Sequence, residues 1–314
     1  MSEDRHITSL DDVLFLTIPN IEQDFLMNKV TIDSTYIHAL TSNGRFVSWT
    51  CNDLLHFKTT KFDSSIPLIS IVSDEDYVYL GSGYRTPDVY ICHMSDHQQF
   101  TKLSGHTNSI LDMAIDSSFL YTGSADGTVK MWEKNTWSMM YTLKVQEYFV
   151  LSISIDSKHI FAGGLDRMTR VFLKSDYTHV ATLQGHEASV FTLSADDDYV
   201  YSGSGEIMWG GPGAPRPSLF ESALRVWDKT KWMCIATKSE HSDNINGIAV
   251  DIEYIYTISD DCTLRIYQKD NFEAVGVLTL GFIPKDLTQD STRLFIAGSN
   301  GKICVISKHS LCEP

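Results

Sequence analysis

The sequence predicts an all-β fold in which seven small four-stranded sheets close into a ring. Three observations lead to this prediction. A phrase returns about every forty residues, every copy contains short alternating apolar runs, and a strand-like segment near the N-terminus matches the strand that the last copy lacks. A unit of this size cannot bury a core alone, so neighbouring units must stack on one another.

The clearest copy of the phrase runs from Leu103 to Met140. Its parts are, in order, Gly105-His106, an alternating apolar run, a Tyr-Thr-Gly-Ser segment at 121–124, an Ala-Asp-Gly turn at 125–127, and Trp132-Glu133. A second copy begins at Gly185-His186 and ends at Trp227-Asp228, and a third begins at His241 and ends at Tyr267. The phrase therefore marks equivalent positions in successive units.

The tryptophan position of this phrase can be followed through the whole chain. Its occupants are Trp49, Cys92, Trp132, Phe172, Trp227, Tyr267 and Ile306. The steps between them are 43, 40, 40, 55, 40 and 39 residues, which gives seven units. The single long step locates one insertion at about 205–223. We therefore expect one domain, 1–314, that carries a loop insertion in its fifth unit.

Each unit is predicted to contain four strands and no helix, because period-2 alternation and turn residues recur throughout. The fourth strand ends in a Thr-Leu pair at 142–143, 182–183 and 279–280, and a similar phrase, Leu16-Thr17-Ile18, lies near the N-terminus. The seventh unit stops after its third strand. Val13 to Ile18 is therefore predicted to supply the outer strand of the last unit, which would close the ring.

These motifs resemble those of the WD-repeat family of β-propellers. The Gly-His opening, the Gly-Ser-x-Asp-Gly turn and the Trp-Asp-like ending carry the resemblance, which spans essentially the whole chain. It is strongest in the third, fifth and sixth units. The second unit departs from it at Cys92, and the seventh at Ile306 and Asn300-Gly301. The resemblance implies a seven-bladed propeller of four-stranded antiparallel blades.

Composition excludes several classes of protein. The formal charge is −15 and no Lys/Arg cluster stands out, so nucleic-acid binding is not expected. None of the six cysteines forms a Cys-x-x-Cys pair, so we expect no metal and no cofactor. No signal peptide or membrane span is apparent. The expectation is a cytoplasmic protein, with the nucleus as the alternative location.

One polar constellation has two interpretations. By the resemblance, His106, Thr122, Asp126 and Trp132 form a buried hydrogen-bond chain within one blade. The sixth unit keeps His241, Thr257 and Asp261, whereas the fifth keeps His186, Ser202 and Trp227 and has lost the aspartate to the insertion. Hydroxyl, imidazole and carboxylate are also the parts of a nucleophilic triad. The structural role is favoured because the set recurs at the repeat period, whereas an enzyme needs one active site.

The insertion between Ser204 and Leu224 is a candidate binding element. Its glycines and prolines exclude a regular helix or strand. Apolar side chains nevertheless occur on both sides of them, and the candidates for partner binding are Met208, Trp209, Leu219 and Phe220. Such residues must bury themselves on a partner or on the propeller's own face. Both possibilities, a docking loop and a cap over the channel, remain open at this point.

The resemblance also implies a ring of exposed residues on the face that carries the loops leading into each blade. The third and fifth residues after the Gly-His histidine point out of that face in this family. In units that have the histidine these positions are counted from it, and in the other units they are found by aligning the strands. The partner-binding candidates among them are Ile69, Leu111, Phe149, Leu151, Phe191, Asn244 and Asn246. Most of these are apolar, which favours a protein-protein contact over a sugar or phosphate site.

The preferred hypothesis for function is a non-catalytic scaffold that binds a protein or peptide and works within a larger complex. One alternative is a propeller enzyme, a hydrolase or lyase, with its site at the channel mouth. Another is a reader of modified peptides that acts as a ubiquitin-ligase substrate receptor. Asp112, Glu147 and Lys285 appear isolated in sequence, and arginines 170, 225 and 265 are expected along blade flanks, so neither alternative gains support. Insertion into a membrane is not expected.

Overall fold

Seven four-stranded antiparallel sheets, the blades, make up the computed structural model, which describes residues 13–17, 25–62, 66–206 and 221–312. The innermost strand of each blade contacts the innermost strands of the two neighbouring blades, and the seventh contacts the first. The blades therefore form a closed ring, and the predicted seven-bladed propeller fold is confirmed.

The strands follow one another outward in each blade. Blades 1 to 3 contain β2 (Met27–Ile32), β3 (Tyr36–Thr41), β4 (Arg45–Thr50) and β5 (His56–Lys61); β6 (Leu68–Ser73), β7 (Tyr77–Ser82), β8 (Asp88–His93) and β9 (Gln99–Ser104); and β10 (Ile110–Ile115), β11 (Phe119–Ser124), β12 (Thr128–Glu133) and β13 (Met139–Lys144). Blades 4 and 5 contain β14 (Val150–Ile155), β15 (His159–Gly164), β16 (Met168–Leu173) and β17 (His179–Gln184); and β18 (Ser189–Ala195), β19 (Tyr199–Gly205), β20 (Leu224–Asp228) and β21 (Met233–Lys238).

The last two blades complete the ring. They contain β22 (Ile245–Val250), β23 (Tyr254–Ser259), β24 (Thr263–Gln268) and β25 (Ala274–Thr279); and β26 (Pro284–Gln289), β27 (Arg293–Gly298) and β28 (Ile303–Ser307), with β1 (Val13–Leu16) as the outer strand of blade 7. We call the face with the loops into each blade and the turns between second and third strands the upper face. The opposite face is the lower face.

The hydrophobic core lies between blades as well as within them. In one cluster, Tyr79 and Val89 of blade 2 pack with Ile110, Leu120 and Trp132 of blade 3, and all five are buried. Alternation along each strand places apolar side chains on both flat surfaces of a blade, so each blade is stable only when it is covered on both sides.

The residues assigned to the tryptophan position occupy equivalent sites in the structure. Each pairs with an apolar residue one position into the second strand of its blade, as in Trp132 with Leu120, Cys92 with Val78, and Ile306 with Leu294. The count of seven units therefore rests on a common strand register.

The N-terminal strand closes the ring as the sequence predicted. Val13–Leu16 pairs antiparallel with β28, and Leu16, opposite Ile303, is only 4% exposed. Immediately after this strand, the Thr17 carbonyl accepts a 3.3 Å hydrogen bond from the Trp49 indole N–H of blade 1. The strand thus links the last blade to the first. Ile18, the predicted end of the strand, lies outside the described residues.

Two details of the sequence prediction were wrong. In blade 6 the equivalent of Leu143 is Leu278 rather than Leu280, because Leu278 pairs with Leu264 as Leu143 pairs with Val129. A two-residue slip preserves the face of a strand, so the pattern alone could not detect it. A short helix, α1 (Lys308–Cys312), follows β28 where no helix was expected, since one turn is too short to show a helical period.

Candidate functional site

A continuous hydrogen-bond chain crosses blade 3 from its third strand to its upper turn. The Trp132 indole N–H donates to Thr122 Oγ1 over 3.0 Å, and the Thr122 hydroxyl lies 2.7 Å from His106 Nε2. His106 Nδ1 donates to Asp126 Oδ2 over 2.8 Å. With a neutral imidazole, each polar atom in the chain therefore has a partner of the required kind.

The carboxylate at the end of this chain is held in its charged form. Burial opposes the ionisation of Asp126, but hydrogen bonds from His106, the Thr128 hydroxyl and the Thr107 amide outweigh burial and lower its pKa. Thr122, at the centre of the chain, has no exposed surface. A hydroxyl in this position cannot reach a substrate, and this supports the structural interpretation over the nucleophilic one.

Blade 5 builds the same chain with a different acid. Trp227 Nε1 donates to Ser202 Oγ over 2.8 Å, and His186 Nε2 lies 2.7 Å from the same hydroxyl. His186 Nδ1 lies 3.4 Å from Glu221 Oε2, and Glu221 also binds Arg225. Sequence reasoning missed Glu221, because the insertion places it 35 residues after the histidine rather than 20.

Burial by itself would raise the pKa of Glu221. The hydrogen bonds that its carboxylate accepts outweigh burial and lower the pKa to about 2. The carboxylate is therefore ionised at neutral pH and can anchor His186, the Glu187 amide and Arg225 together. The residue that closes the insertion is thus part of the blade's own hydrogen-bond network.

Blades 6 and 4 show two further versions of the network. In blade 6, His241 Nδ1 lies 2.8 Å from Asp261 Oδ2, and His241 Nε2 lies 2.8 Å from Thr257 Oγ1. Thr257 also hydrogen-bonds the Tyr267 hydroxyl, which replaces the tryptophan indole. In blade 4, Gln146 stands in the histidine position and accepts a 3.1 Å hydrogen bond from Arg170, which also pairs with an aspartate, Asp166.

A second repeated motif, on the lower face, was not found in the sequence. An aspartate in each turn between first and second strands accepts two backbone N–H bonds, as Asp116 does from Ser118 and Phe119. In four blades its other oxygen accepts a tyrosine hydroxyl five residues later, as in Asp116 with Tyr121. The full set of these pairs is Asp74 with Tyr79, Asp116 with Tyr121, Asp196 with Tyr201 and Asp251 with Tyr256.

Lysines from the following blade complete this motif. Each lysine follows the third strand of its blade and forms an ion pair with the aspartate of the preceding blade. The pairs are Lys134 with Asp74, Lys174 with Asp116, Lys229 with Asp156, Lys269 with Asp196 and Lys308 with Asp251. They join five successive blade junctions. The forty-residue recurrence of the aspartate was the sequence signal that could have revealed them.

The junction of blades 1 and 2 replaces the ion pair with two buried histidines. His38 Nε2 donates to Asp33 Oδ2 over 2.9 Å, and His38 Nδ1 lies 2.7 Å from Ser48 Oγ. Ser48 Oγ lies 3.0 Å from Nε2 of His97, whose Nδ1 lies 3.1 Å from Thr60 Oγ1. Burial, together with the nearby His38 and Lys58, lowers the pKa of His97 to about 3.

The apolar rim candidates lie at the upper ends of four consecutive inner strands and the loop before one of them. In β6, β10, β14 and β18 a β-bulge leaves one residue of the inner strand unpaired with the second strand. That residue is Ile69, Leu111, Leu151 or Phe191, respectively. All four are half-buried, as is Phe149 in the loop before β14. We call these four strand residues the collar.

The two asparagine candidates make internal contacts. Asn244 accepts a 2.8 Å hydrogen bond from the Glu206 amide, where the insertion begins, and its side-chain amide donates to Asp260 over 3.2 Å. The Asn246 amide donates to Asp260 and to the Pro284 carbonyl. Asn244 therefore fastens the start of the insertion to blade 6. The four insertion candidates, Met208, Trp209, Leu219 and Phe220, lie outside the described residues.

Charged side chains that appeared isolated in sequence meet in the central channel. Lys29 lies 3.6 Å from Asp286, and a cavity of about 180 Å³ is lined by both and by Asp112. Backbone amides of Val30 and Ile153 donate to the two carboxylates. Burial raises the pKa of Asp112 and of Asp286, although Lys29 opposes that effect. The prediction that Asp112 stands alone was therefore wrong.

The described part of the chain contains no group of three or more histidine, cysteine, aspartate or glutamate side chains placed to hold a metal ion. Within the same residues, no helix has the length and apolar character needed to cross a bilayer.

Comparison with known proteins agrees with this geometry. The WD40 family (WD domain, G-beta repeat) matches residues 97–133 and 177–207. Among solved structures, the WD40 β-propeller domain of Doa1 is 18% identical with a TM-score of 0.76, covering 96% of this chain and 100% of its own. The computationally designed protein Ika8 is 12% identical with a TM-score of 0.69, covering 93% and 99%. No curated protein sequence matches.

The fold and its repeated polar chains define a seven-bladed β-propeller, in which histidine, hydroxyl and carboxylate groups connect the strands of blades 3, 5 and 6. Two stretches of the chain match the WD40 family model, and its fold is that of a WD40 β-propeller. Propellers of this family typically serve as platforms for protein interaction.

Proposed function

We propose that this protein is a non-catalytic scaffold that binds a protein or peptide partner on its upper face. The collar carries the proposal. Four large apolar side chains in consecutive blades, Ile69, Leu111, Leu151 and Phe191, stand half-buried around one side of the channel mouth. Large apolar side chains gathered on one face are typical of a protein-binding site.

The insertion strengthens the proposal because both of its ends are fixed beside the collar. Glu206 is held by Asn244, and Glu221 is held by His186 and Arg225. Gly205, next to Glu206, approaches Phe191 so closely that a Cβ atom would lie 2.8 Å from the phenylalanine ring. We propose that residues 207–220 provide part of the docking surface. Long loops on a rigid frame commonly carry binding functions.

Two observations favour binding over catalysis. The hydroxyls of the three histidine networks have no exposed surface, and the channel carboxylates already accept backbone amide bonds. For the reader of modified peptides, two of the three arginines considered are engaged, since Arg170 pairs with Asp166 and Arg225 with Glu221. We place the protein in the cytoplasm or nucleus, and the free thiols of the described cysteines are consistent with a reducing compartment.

Quantitative affinity purification from the native cell tests this proposal. One variant replaces residues 207–220 by a short Gly-Ser linker and keeps Glu206 and Glu221, so that the blade 5 network survives. A second variant carries Leu111→Lys and Leu151→Lys on the collar. We expect a partner enriched with wild type to fall at least about tenfold with both variants, as for the loss of an interface hot spot.

A matched control carries Met233→Lys and Ile235→Lys on the outer strand of blade 5, where both side chains are exposed. It should retain the partner. All variants must match wild type in thermal stability before the comparison is made. A partner lost equally with the control, or retained by both upper-face variants, would show that binding does not use this face.

A further inference from the structure

One turn of blade 4 carries a strained arginine on the upper face. Arg167 lies between the second and third strands, its side chain is exposed, and its φ angle is 71°. Its amide donates to the Gly164 carbonyl over 3.1 Å, and the equivalent bond in blade 3 is made by Gly127, with a φ of 81°. Gly44 and Gly301 hold the same position in blades 1 and 7. Glycine adopts this conformation without a steric cost, whereas arginine is unfavourable here.

Packing compensates for this conformation at other bulky residues. Among the described residues, eight non-glycine residues have a positive φ, and six of these lie in lower-face turns between third and outer strands. Arg167 is instead exposed, and within the same residues its guanidinium has no hydrogen bond or ion pair. Strained backbone is concentrated at binding sites, which points to a use for this side chain in contact with a ligand. The six residues that pack against buried side chains are Leu54, His97, Trp137, Tyr177, Trp232 and Phe272.

The charges next to Arg167 are already paired with one another. Asp166 lies 2.6 Å from Arg170, and Glu147 on the loop into blade 4 lies 2.7 Å from Lys144. These pairs leave the guanidinium of Arg167 as an uncompensated positive charge among the described residues of this turn. A ligand that meets the turn can therefore neutralise one positive charge without breaking an internal ion pair.

The arginine adjoins the apolar part of the upper face. The Leu165 amide donates to the Phe149 carbonyl over 3.1 Å, which fastens the turn to the loop that leads into blade 4. Phe149 lies two residues before Leu151 of the collar, and Tyr148 on the same loop is 58% exposed. We call Tyr148, Leu165 and Arg167 the ledge. Tyrosine and arginine are among the side chains that most often dominate the binding energy of an interface.

We propose that the partner bound at the collar presents an acidic side chain to Arg167, with an apolar residue beside it against Tyr148 and Leu165. This inference rests on the proposed function and specifies the chemistry of the partner. Guanidinium and carboxylate are planar groups that can form two parallel hydrogen bonds, and the docked apolar residues would exclude water from them. The ledge therefore recognises charge, whereas the collar contributes apolar contact.

An aspartate or glutamate fits the ledge better than a phosphorylated residue. A phosphate carries nearly two negative charges at neutral pH, and its recognition commonly uses a cluster of arginines. In the described part of this turn and its entry loop, Arg167 is the one cation without an internal partner, and two carboxylates, Asp166 and Glu147, belong to the same segments. Those carboxylates would repel a dianion more strongly than a single carboxylate. One positive charge thus matches one negative charge.

A random-sequence peptide library displayed on phage and selected on the intact protein tests the proposal. Selected peptides are analysed further when they lose binding to the Leu111→Lys, Leu151→Lys variant, because these peptides use the collar. We expect them to share an aspartate or glutamate next to an apolar residue. The affinity of the synthetic peptides, measured by fluorescence polarisation, should fall at least about tenfold with Arg167→Gly, because a hydrogen-bonded charge is lost.

Arg167→Gly separates binding from folding. Glycine relieves the strained backbone, so this variant should unfold at a temperature no lower than that of wild type. Cys262→Gly is the matched control, because Cys262 holds the same turn position in blade 6 with a φ of 66°. It relieves the same strain and should leave peptide affinity unchanged. Arg167→Gln, which keeps a long polar side chain without the charge, is a second variant and should also weaken binding.

Charge exchange tests the contact itself. Arg167→Glu should bind the selected peptide weakly and should recover affinity for a peptide whose acidic residue is replaced by lysine. Raising NaCl from about 50 to about 500 mM should weaken the wild-type complex more than the Arg167→Gly complex, because salt screens a partly exposed ion pair. A purely structural role of Arg167 would produce neither effect.

Three results would overturn the proposal: collar-dependent peptides without an acidic residue, affinity that is unchanged by Arg167→Gly, or an equal loss with Cys262→Gly. In each of these cases the collar would remain a binding site and only the acidic partner would be wrong. A selection that yields no peptide, or only peptides that bind the collar variant as well as wild type, would contradict the proposed function and this inference with it.

Discussion

Single hydroxyl groups connect the hydrogen-bond chains of blades 3, 5 and 6. Thr122, Ser202 and Thr257 lie at equivalent positions in their second strands, and each meets a histidine on one side. A buried hydroxyl can accept from an indole and donate to an imidazole at the same time. An apolar side chain of the same shape could do neither, and two buried polar groups would lose a partner at once.

Thr122→Val should therefore reduce the free energy of unfolding by about 1–3 kcal/mol, because it leaves the Trp132 N–H and His106 Nε2 unsatisfied in the interior. Chemical unfolding in urea at pH 7 measures the change. Thr279→Val, at an exposed position on β25, is the control and should alter stability by no more than about 0.5 kcal/mol. Equal effects of both substitutions would contradict the proposed role of the network.

The acid of a hydrogen-bond chain could be predicted from the sequence where its spacing from the histidine is preserved, but not where the insertion changes that spacing. The distance of 20 residues from histidine to aspartate is the same for His106 and His241, and the sequence located both acids. Glu221 could not be found in this way. The insertion changes its separation along the chain, while its position in space next to His186 is retained.

At the scale of elements, the blade junctions differ although the strands are alike. Five junctions carry a lysine-aspartate ion pair, whereas the first carries the hydrogen-bond chain from Asp33 through His38 and Ser48 to His97. Both kinds of junction lose stability in acid, but over different pH ranges: a buried neutral histidine loses it once the pH falls below about 6.5, and an ion-paired aspartate only below about pH 4. The first junction is thus the place where protonation should act through uptake by histidine.

His97→Phe should make stability less sensitive to acid. Folded His97 stays neutral down to its pKa of about 3, whereas the unfolded chain takes up a proton near pH 6.5. Stability is therefore lost as the pH falls below about 6.5, because the unfolded state binds more protons. Between pH 7 and 4.5 the variant should lose about 1–2 kcal/mol less than wild type, after allowance for solvent screening.

Urea unfolding at a series of pH values measures this difference in slope. His97→Phe removes hydrogen bonds to Ser48 and Thr60, so its stability at pH 7 can fall; the slope alone tests the prediction. His179→Phe, at an exposed position, should retain the slope of wild type. Parallel curves for wild type and His97→Phe would contradict the assignment.

Strands were predictable because two signals coincide in each of them. Alternation places the apolar face, and fixed landmarks such as Trp132 and Trp227 set the register. Where landmarks are weak, the register slipped, as at Thr279-Leu280. The lower-face aspartates went unnoticed because turns of Asp and Ser are common in any β protein. Only their contacts across junctions, as between Lys174 and Asp116, reveal their role.

At the scale of the whole molecule, the ring depends on one short strand. Val13–Leu16 supplies the fourth strand of blade 7, while Thr17 binds Trp49 in blade 1. Without this strand, β28 would become an open edge and the contact from the last blade to the first would weaken. The sequence predicted this closure from a repeated phrase rather than from any property of the strand itself.

A chain that begins at Thr17 should lose at least about 2 kcal/mol of stability, the value of burying one leucine side chain, because Leu16 no longer covers Ile303. A synthetic peptide of residues 11–17 should restore stability in proportion to its concentration. Hydrogen exchange of β28, followed by mass spectrometry, reports the open edge.

Two variant peptides provide the control for this experiment. The peptide with Leu14→Ala should still rescue, since Leu14 is 48% exposed, whereas the peptide with Leu16→Ala should not, since Leu16 is 4% exposed. Unchanged stability of the shortened chain, or rescue by both peptides alike, would show that the strand does not close the ring in solution.

Closure by this strand also determines when the ring can be completed during synthesis of the chain. The segment Val13–Leu16 leaves the ribosome before every other strand described here, yet its partner, Ile303–Ser307, is among the last to be made. At 5–20 residues per second the interval is roughly 15–60 s. During that time Leu14, Phe15 and Leu16 have no strand to pair with, while blades 1 to 6 can form from local hairpins. The nascent protein therefore carries an unpaired apolar strand, whose Leu16 stays uncovered until the final blade emerges.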